Sequence, residues 1–218
     1  MESMIDTILF DLDGTLLNTL DDLCDSTNFA LSHFGYPART LEEVRGFVGE
    51  GVRLLIERAL PDGAKDRTDE VLKVFSAHYD VNKENKTKPY DGIAEMLKEV
   101  CPRYRTAIVS NKYDKAVADL RNKLFADVTV AVGERAGLRK KPAPDMVEYA
   151  LQQLHADKRS AVYVGDSDVD VQTARNAGLP IIAVSWGFRD RALLERLGAD
   201  AIIDRPQQLA AAVQKLNG

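Results

Sequence analysis

Two aspartates one residue apart, Asp11 and Asp13, followed at once by Gly14 and Thr15, close the apolar run Ile8-Leu9-Phe10. A short run so rich in Ile, Leu and Phe reads as a buried strand. Alternate residues of a strand share a face, so Asp11 and Asp13 are expected to point the same way. Two carboxylates held side by side repel unless a cation or a shared proton offsets them. Gly14 lets the chain turn sharply and bring backbone N–H groups toward a ligand. A divalent metal, a phosphate and a carboxylate nucleophile all suit such a corner. A capped turn would use the same residues, so the remaining polar clusters decide.

Three more clusters follow apolar runs. Thr106–Val109 leads into Ser110-Asn111-Lys112, where a hydroxyl and the N–H groups after it can donate to phosphoryl oxygens. Ala161–Val164 leads into Gly165-Asp166-Ser167-Asp168-Val169-Asp170. Crowded carboxylates at a strand end repel, and a hard cation such as Mg²⁺, which prefers oxygen ligands, resolves the repulsion. An N-cap with acidic first-turn residues accounts for Asp168 and Ser167 but less well for Asp166. Between these clusters lies Arg139-Lys140-Lys141-Pro142-Ala143-Pro144. The prolines stiffen the segment, so a lysine there can aim a fixed charge at a phosphate.

Elements must hold these clusters together. The runs Thr7–Phe10, Thr106–Val109, Val128–Val132, Ala161–Val164, Ile181–Val184 and, more weakly, Ala201–Ile203 read as strands. Helical spacing marks Tyr113–Phe125, Asp145–Leu154, Asp168–Ala177 and Asp190–Leu197. Strands alternating with helices predict an α/β fold with a doubly wound parallel sheet and a Rossmann-like core. Ligands of such sheets bind beyond the C-terminal strand ends, where the four clusters fall. Residues 17–88 break the alternation. Apolar faces built on Leu20, Leu23, Ala30 and Leu31, on Leu54 and Leu55, and on Val71, Leu72, Phe75 and Tyr79 predict a helical domain inserted after the first strand. The expected division is a core of residues 1–16 and 89–218 with an inserted helical domain at 17–88.

Composition bounds the partners. The 218 residues are 45 % hydrophobic and 29 % charged, ordinary for a soluble globular protein. A net charge of −5 argues against a nucleic-acid partner. No apolar run reaches the ~18 residues that span a bilayer, and the acidic N-terminus does not resemble a signal peptide. Cys24 and Cys101 make no disulfide framework, and His33, His78 and His155 are scattered rather than clustered as metal ligands. A cytoplasmic location is the expectation.

Together Asp11-x-Asp13-Gly14-Thr15, Ser110-Asn111, Lys141-Pro142 and Gly165-Asp166-x-x-x-Asp170 resemble the four motifs of the haloacid dehalogenase-like hydrolase superfamily. The resemblance covers essentially the whole chain, with 17–88 matching the family's helical cap. Val48-Gly49-Glu50-Gly51, Glu57-Arg58-Ala59-Leu60, Ser110-Asn111-Lys112, Lys141-Pro142-Ala143-Pro144 and Trp186-Gly187-Phe188 are similar to the phosphoglycolate phosphatase group. One position departs from that group: Glu50 stands between the two cap glycines, where a small or neutral residue is common. A negative charge there, facing the pocket, would disfavour a carboxylated substrate.

The resemblance implies a phosphatase acting on a small phosphorylated metabolite, as monomer or homodimer. By it, Asp11 is the nucleophile that forms an aspartyl-phosphate, and Asp13 protonates the leaving alkoxide and then activates water. Mg²⁺ would be held by Asp11, the Asp13 backbone carbonyl and Asp166. Ser110 and Lys141 would hold phosphoryl oxygens, with Gly14, Thr15 and Asn111 in the phosphate cradle. Asp170 and Ser167 would act behind the metal site, Asp170 orienting Lys141 or a metal-bound water. The organic half of the substrate would be read by Gly49, Glu50, Gly51 and Arg53. Asp13 speaks against a dehalogenase, which releases a halide that needs no proton. A sugar-phosphate mutase on the same scaffold and a low-turnover phospho-Asp signalling module stay open as alternatives.

Overall fold

Four consecutive residues with no exposed surface, Thr7, Ile8, Leu9 and Phe10, form strand β1 (Thr7–Phe10). A strand buried on both faces belongs at the centre of a parallel sheet. In this computed structural model, which describes residues 4–218, β1 lies between β4 (Arg105–Tyr113) and β6 (Ala161–Gly165). Outside them run β5 (Val130–Glu134), β7 (Ile181–Val184) and β8 (Ala201–Ile203), giving the order β5-β4-β1-β6-β7-β8. Every pair is parallel, with Phe10 opposite both Ile108 and Val164. Asp11 thus follows level with Val109 and Gly165, just before Ser110 and Asp166. Each of Ile8, Leu9 and Phe10 contributes about 1.5–3 kcal/mol by leaving water.

Helices α5 (Ile93–Val100), α6 (Asp114–Leu124), α7 (Asp145–Leu154), α8 (Asp168–Ala177), α9 (Arg191–Arg196) and α10 (Leu209–Leu216) alternate with these strands. Met146, Val147, Ala150 and Leu151 of α7 and Val171, Ala174 and Ala177 of α8 join Leu9, Val109 and Tyr163 in one core cluster. Most expected elements stand where the spacing put them, but α5 and α10 add to those expected. Strand β4 also runs past Val109 to Tyr113, so Ser110, Asn111 and Lys112 lie within it. Its pairing with β5 shifts register between Val109 and Tyr113, and these three residues occupy that irregular stretch.

The chain divides into two compact units, Leu17–Lys88 and the remainder. Two short strands where the chain passes between them, β2 (Leu17–Asn18) and β3 (Lys88–Pro89), pair with one another. The 17–88 unit is helical: α1 (Leu20–His33), α2 (Leu41–Phe47), α3 (Val52–Ala59) and α4 (Thr68–Asn82), with a 3₁₀ segment at Asp62–Arg67. Helix α1 packs along α4, burying Val71, Phe75 and Tyr79. Helix α2 was not expected from spacing. It starts in a capping box in which Thr40 Oγ1 accepts the Glu43 N–H and Glu43 accepts the Thr40 N–H. Buried Asp22 accepts the backbone N–H groups of Lys86 and Thr87, tying the two ends of the insertion together.

Candidate active site

Asp11 follows the last residue of β1 and is buried, its backbone N–H held by the Val164 carbonyl. Its Oδ1 accepts from Lys141 Nζ at 2.7 Å. The same ammonium donates to Asp170 Oδ1 at 2.8 Å and to the Tyr163 hydroxyl at 3.1 Å. Asp11, Asp166 and Asp170, all buried, bring one carboxylate oxygen each within 4.8 Å of one another. Residues from the ends of β1 and β6 and from the segment before α7 thus meet at one point.

Lys141 is held from both ends. Its backbone N–H donates to Asn111 Oδ1 at 2.8 Å, and Asn111 Nδ2 donates to its carbonyl at 3.0 Å. Asn111 therefore uses its side-chain amide to fix Lys141. Ser110 is buried, and its Oγ accepts the Lys112 N–H at 3.1 Å.

Asp166 is braced with equal care. Its Oδ1 accepts from Thr15 Oγ1 at 3.0 Å, and its Oδ2 accepts the Phe188 N–H at 2.7 Å. Gly14 and Gly187 both press against this carboxyl group, and a Cβ on either would collide with it. Gly14 also has φ near +95°, which a side chain disfavours. Trp186 Nε1 donates to the Thr15 carbonyl at 3.0 Å, joining the Trp186–Phe188 loop to the loop after β1. Gly14 and Thr15 thus seat Asp166, a role that the motif reading did not contain. Asp170 is fully spoken for: its Oδ2 accepts Asp166 N–H, Ser167 N–H and Ser167 Oγ at 3.1, 3.1 and 2.6 Å. Ser167 is the N-cap of α8 and completes a capping box with Asp170.

Electrostatics say what the cluster lacks. Burial, then repulsion from Asp170, pushes the Asp11 carboxyl well above its ordinary range despite Lys141. Asp166 is pushed up to about 7, by burial first and Asp170 second. Burial opposes the Lys141 charge, but Asp11 and Asp170 outweigh it and hold the ammonium well above its usual value. One ammonium does not offset three crowded carboxylates. The donor set is hard oxygen, so a divalent cation such as Mg²⁺ fits. Asp170, saturated by Lys141 and the α8 N-terminus, has the least to offer it, leaving Asp11 and Asp166. The Asp13 side chain is not part of this cluster.

Two outcomes follow. Asp166 is raised from 3.8 to about 7, so the folded protein binds a proton there that the unfolded chain has lost. That contribution to stability is full below about pH 4 and is lost as pH rises to about 7. A divalent cation favours the ionised carboxylates, so its stabilising effect should grow over the same window. Thermal melts with chelator and with Mg²⁺ should show a larger Mg²⁺ gain at about pH 8 than at about pH 5. Equal gains at both would remove the cation from this cluster. Second, Gly187→Ala should displace the Asp166 carboxyl and raise the Mg²⁺ needed for half-maximal activity by about 10–100-fold. An unchanged Mg²⁺ titration would show that the glycine is not a brace.

Asp13 pairs with Lys112, Nζ to Oδ1 at 3.0 Å, and Lys112 was not among the expected site residues. Gly49, Glu50, Gly51 and Arg53 belong to the 17–88 unit. Gly49 and Gly51 have φ near +131° and +91°, and Gly51 caps α3, so this turn needs both glycines to end α2 and start α3. Glu50 is ion-paired with Arg58, and Arg53 with Asp69. Arg58, on α3, thus partners the Glu50 charge.

A parallel sheet with a buried carboxylate cluster and a clamped lysine at its C-terminal edge defines a hydrolase of the haloacid dehalogenase type. The haloacid dehalogenase-like hydrolase profile matches residues 8–184, and the chain belongs to that family. It is a phosphoric monoester hydrolase. It is 36 % identical over 200 residues to a phosphoglycolate phosphatase of Mesorhizobium japonicum, covering 86 % of each chain. A plasmid phosphoglycolate phosphatase of Cupriavidus necator is 33 % identical, covering 94 % of this chain and 91 % of that one. Among solved structures, a provisionally assigned phosphoglycolate phosphatase from Lactobacillus delbrueckii superposes with a TM-score of 0.90. The two are 33 % identical, over 96 % of this chain and 98 % of that one. Among the described residues no helix is long and apolar enough to cross a membrane.

Proposed function

We propose that the protein is a Mg²⁺-dependent phosphatase of small phosphorylated metabolites, phosphoglycolate first among them, working through an aspartyl-phosphate on Asp11. The observation that carries this is the buried Asp11 carboxylate held at 2.7 Å by Lys141, with Asp13 two residues on. Asp11 attacks phosphorus, forming an O–P bond as the ester O–P bond breaks, and Asp13 gives its proton to the departing alkoxide. Asp13 then takes a proton from water, which attacks phosphorus as the Asp11 O–P bond breaks, releasing inorganic phosphate and the free Asp11 carboxylate. Ser110 and Lys141 hold phosphoryl oxygens against the charge that develops. Asp11, Asp166 and the Asp13 carbonyl would hold Mg²⁺, which when bound neutralises charge on carboxylate and phosphate alike.

Asn111, Asp170 and Ser167 keep Lys141 and Asp166 in place, and Gly14 and Thr15 serve Asp166. The names of the Mesorhizobium and Cupriavidus relatives favour phosphoglycolate, and the Glu50–Arg58 pair offsets the charge that spoke against it. The 17–88 unit is proposed as the cap that reads the substrate. A cytoplasmic enzyme, monomeric or homodimeric, fits this reading.

The test is a panel of phosphorylated metabolites with Mg²⁺, measuring released phosphate and product isomers. Phosphoglycolate should have the highest kcat/KM. Phosphate release from none of them would overturn the proposal, and isomerised products would turn it toward a mutase. Asp13→Asn should lose far more rate on alkyl than on aryl phosphates, whose leaving groups need less proton donation. Equal losses would count against Asp13 as the acid.

A further inference from the structure

The four motifs recognise phosphate, metal and attack geometry, and the core looks blind to the rest of the substrate. Lys112 changes that. Its side chain is 4 % exposed and its ammonium lies 3.0 Å from Asp13 Oδ1, on a side chain 15 % exposed. Its backbone is fixed as well: the N–H donates to Ser110 Oγ, and its carbonyl packs so closely under Gly133 of β5 that a Cβ there would collide with it. Lys141, saturated by Asp11, Asp170 and Tyr163, serves the phosphoryl centre. Lys112 is a second buried cation, paired with Asp13 rather than Asp11.

Resting on the proposed phosphatase reading, we infer that Lys112 is a specificity-determining residue that binds a second anionic group of the substrate, one or two carbons beyond the ester oxygen. An acid that protonates the leaving oxygen must come within about 2.6–3.2 Å of it. A group 3.0 Å from that acid is thus near the first atoms of the organic half, not its far end. An ammonium fixed there, beside a carboxylate, favours a carboxylate on the short arm of a 2-phosphooxy acid, which can share Lys112 with Asp13. Neutral alkyl phosphates gain nothing from it, and a phosphorylated amine is repelled. The core then discriminates substrates by charge at close range, whatever the inserted unit adds.

Phosphoglycolate, ethyl phosphate and phosphoethanolamine, in Mg²⁺, give the test. Wild-type protein should prefer them in that order. Lys112→Met should cut the phosphoglycolate-to-ethyl phosphate ratio of kcat/KM by about tenfold or more, mostly through KM, and Lys112→Arg should restore part of it. A ratio unchanged in Lys112→Met, with both rates falling together, would make Lys112 a structural partner of Asp13 and overturn the inference. So would a wild-type protein that hydrolyses ethyl phosphate as well as phosphoglycolate, although the phosphatase reading would survive that result. Hydrolysis of none of the three, nor of an aryl phosphate, would instead sink the phosphatase reading.

Discussion

Asp11→Asn should abolish phosphate release while leaving the protein folded. The amide is a poor nucleophile and a poor metal ligand, so kcat should fall by about 10³-fold or more. The fold should not suffer. Burial and Asp170 already push the Asp11 carboxyl toward its neutral form, so a neutral amide relieves repulsion. The amide oxygen still accepts from Lys141, the contact seen at 2.7 Å. Without metal, the variant should therefore melt no lower than wild type near neutral pH. Retention of about a tenth of wild-type activity would remove Asp11 as nucleophile.

Lys141→Met should produce the opposite pairing: activity lost and stability lost together. It removes the ammonium that pairs with both Asp11 and Asp170 and leaves buried carboxylates facing one another. Breaking a buried pair by deleting one partner costs about 3–5 kcal/mol. The loss should be largest above about pH 7 and shrink toward about pH 4, where carboxylates take up protons. Turnover should fall by about 10²–10³-fold, the usual cost of a missing donor to the developing charge. Added Mg²⁺ should recover part of the stability but little of the rate. A melt unchanged at about pH 8 would mean that Lys141 does not hold the cluster together.

Much of this site was legible because fully buried parallel strands are continuous apolar runs, and their ends are easy to see. Thr7–Phe10, Ile181–Val184 and Ala201–Ile203 stand as strands with the bounds read from the chain. Asp11, Asp166, Asp170 and Lys141 come together as motif logic required. Spacing along the chain cannot say which polar atoms meet across it. The Lys112–Asp13 pair depends on the register of β4 on β1 and on the irregular end of β4. Asn111 gripping the Lys141 backbone spans thirty positions. Glu50 finds Arg58 around a turn that needs two positive-φ glycines. Helix α2 is seven residues long and buries only Val44, whereas Ile93, Met96, Leu97 and Val100 give α5 a buried apolar face that was there to read.

The central place of β1 has a consequence for the protein while it is being made. Strand β1 leaves the ribosome before both of its partners, which begin only at Arg105 and Ala161. Until then a strand whose residues end with no exposed surface has two unpaired edges in water. Such edges invite pairing with other chains. Synthesis of the helical insertion delays the first partner further. Destabilising changes near β4 should therefore lower yield in the cell more than they lower the melting temperature of the finished enzyme, because β1 has no sheet partner at all until β4 is made.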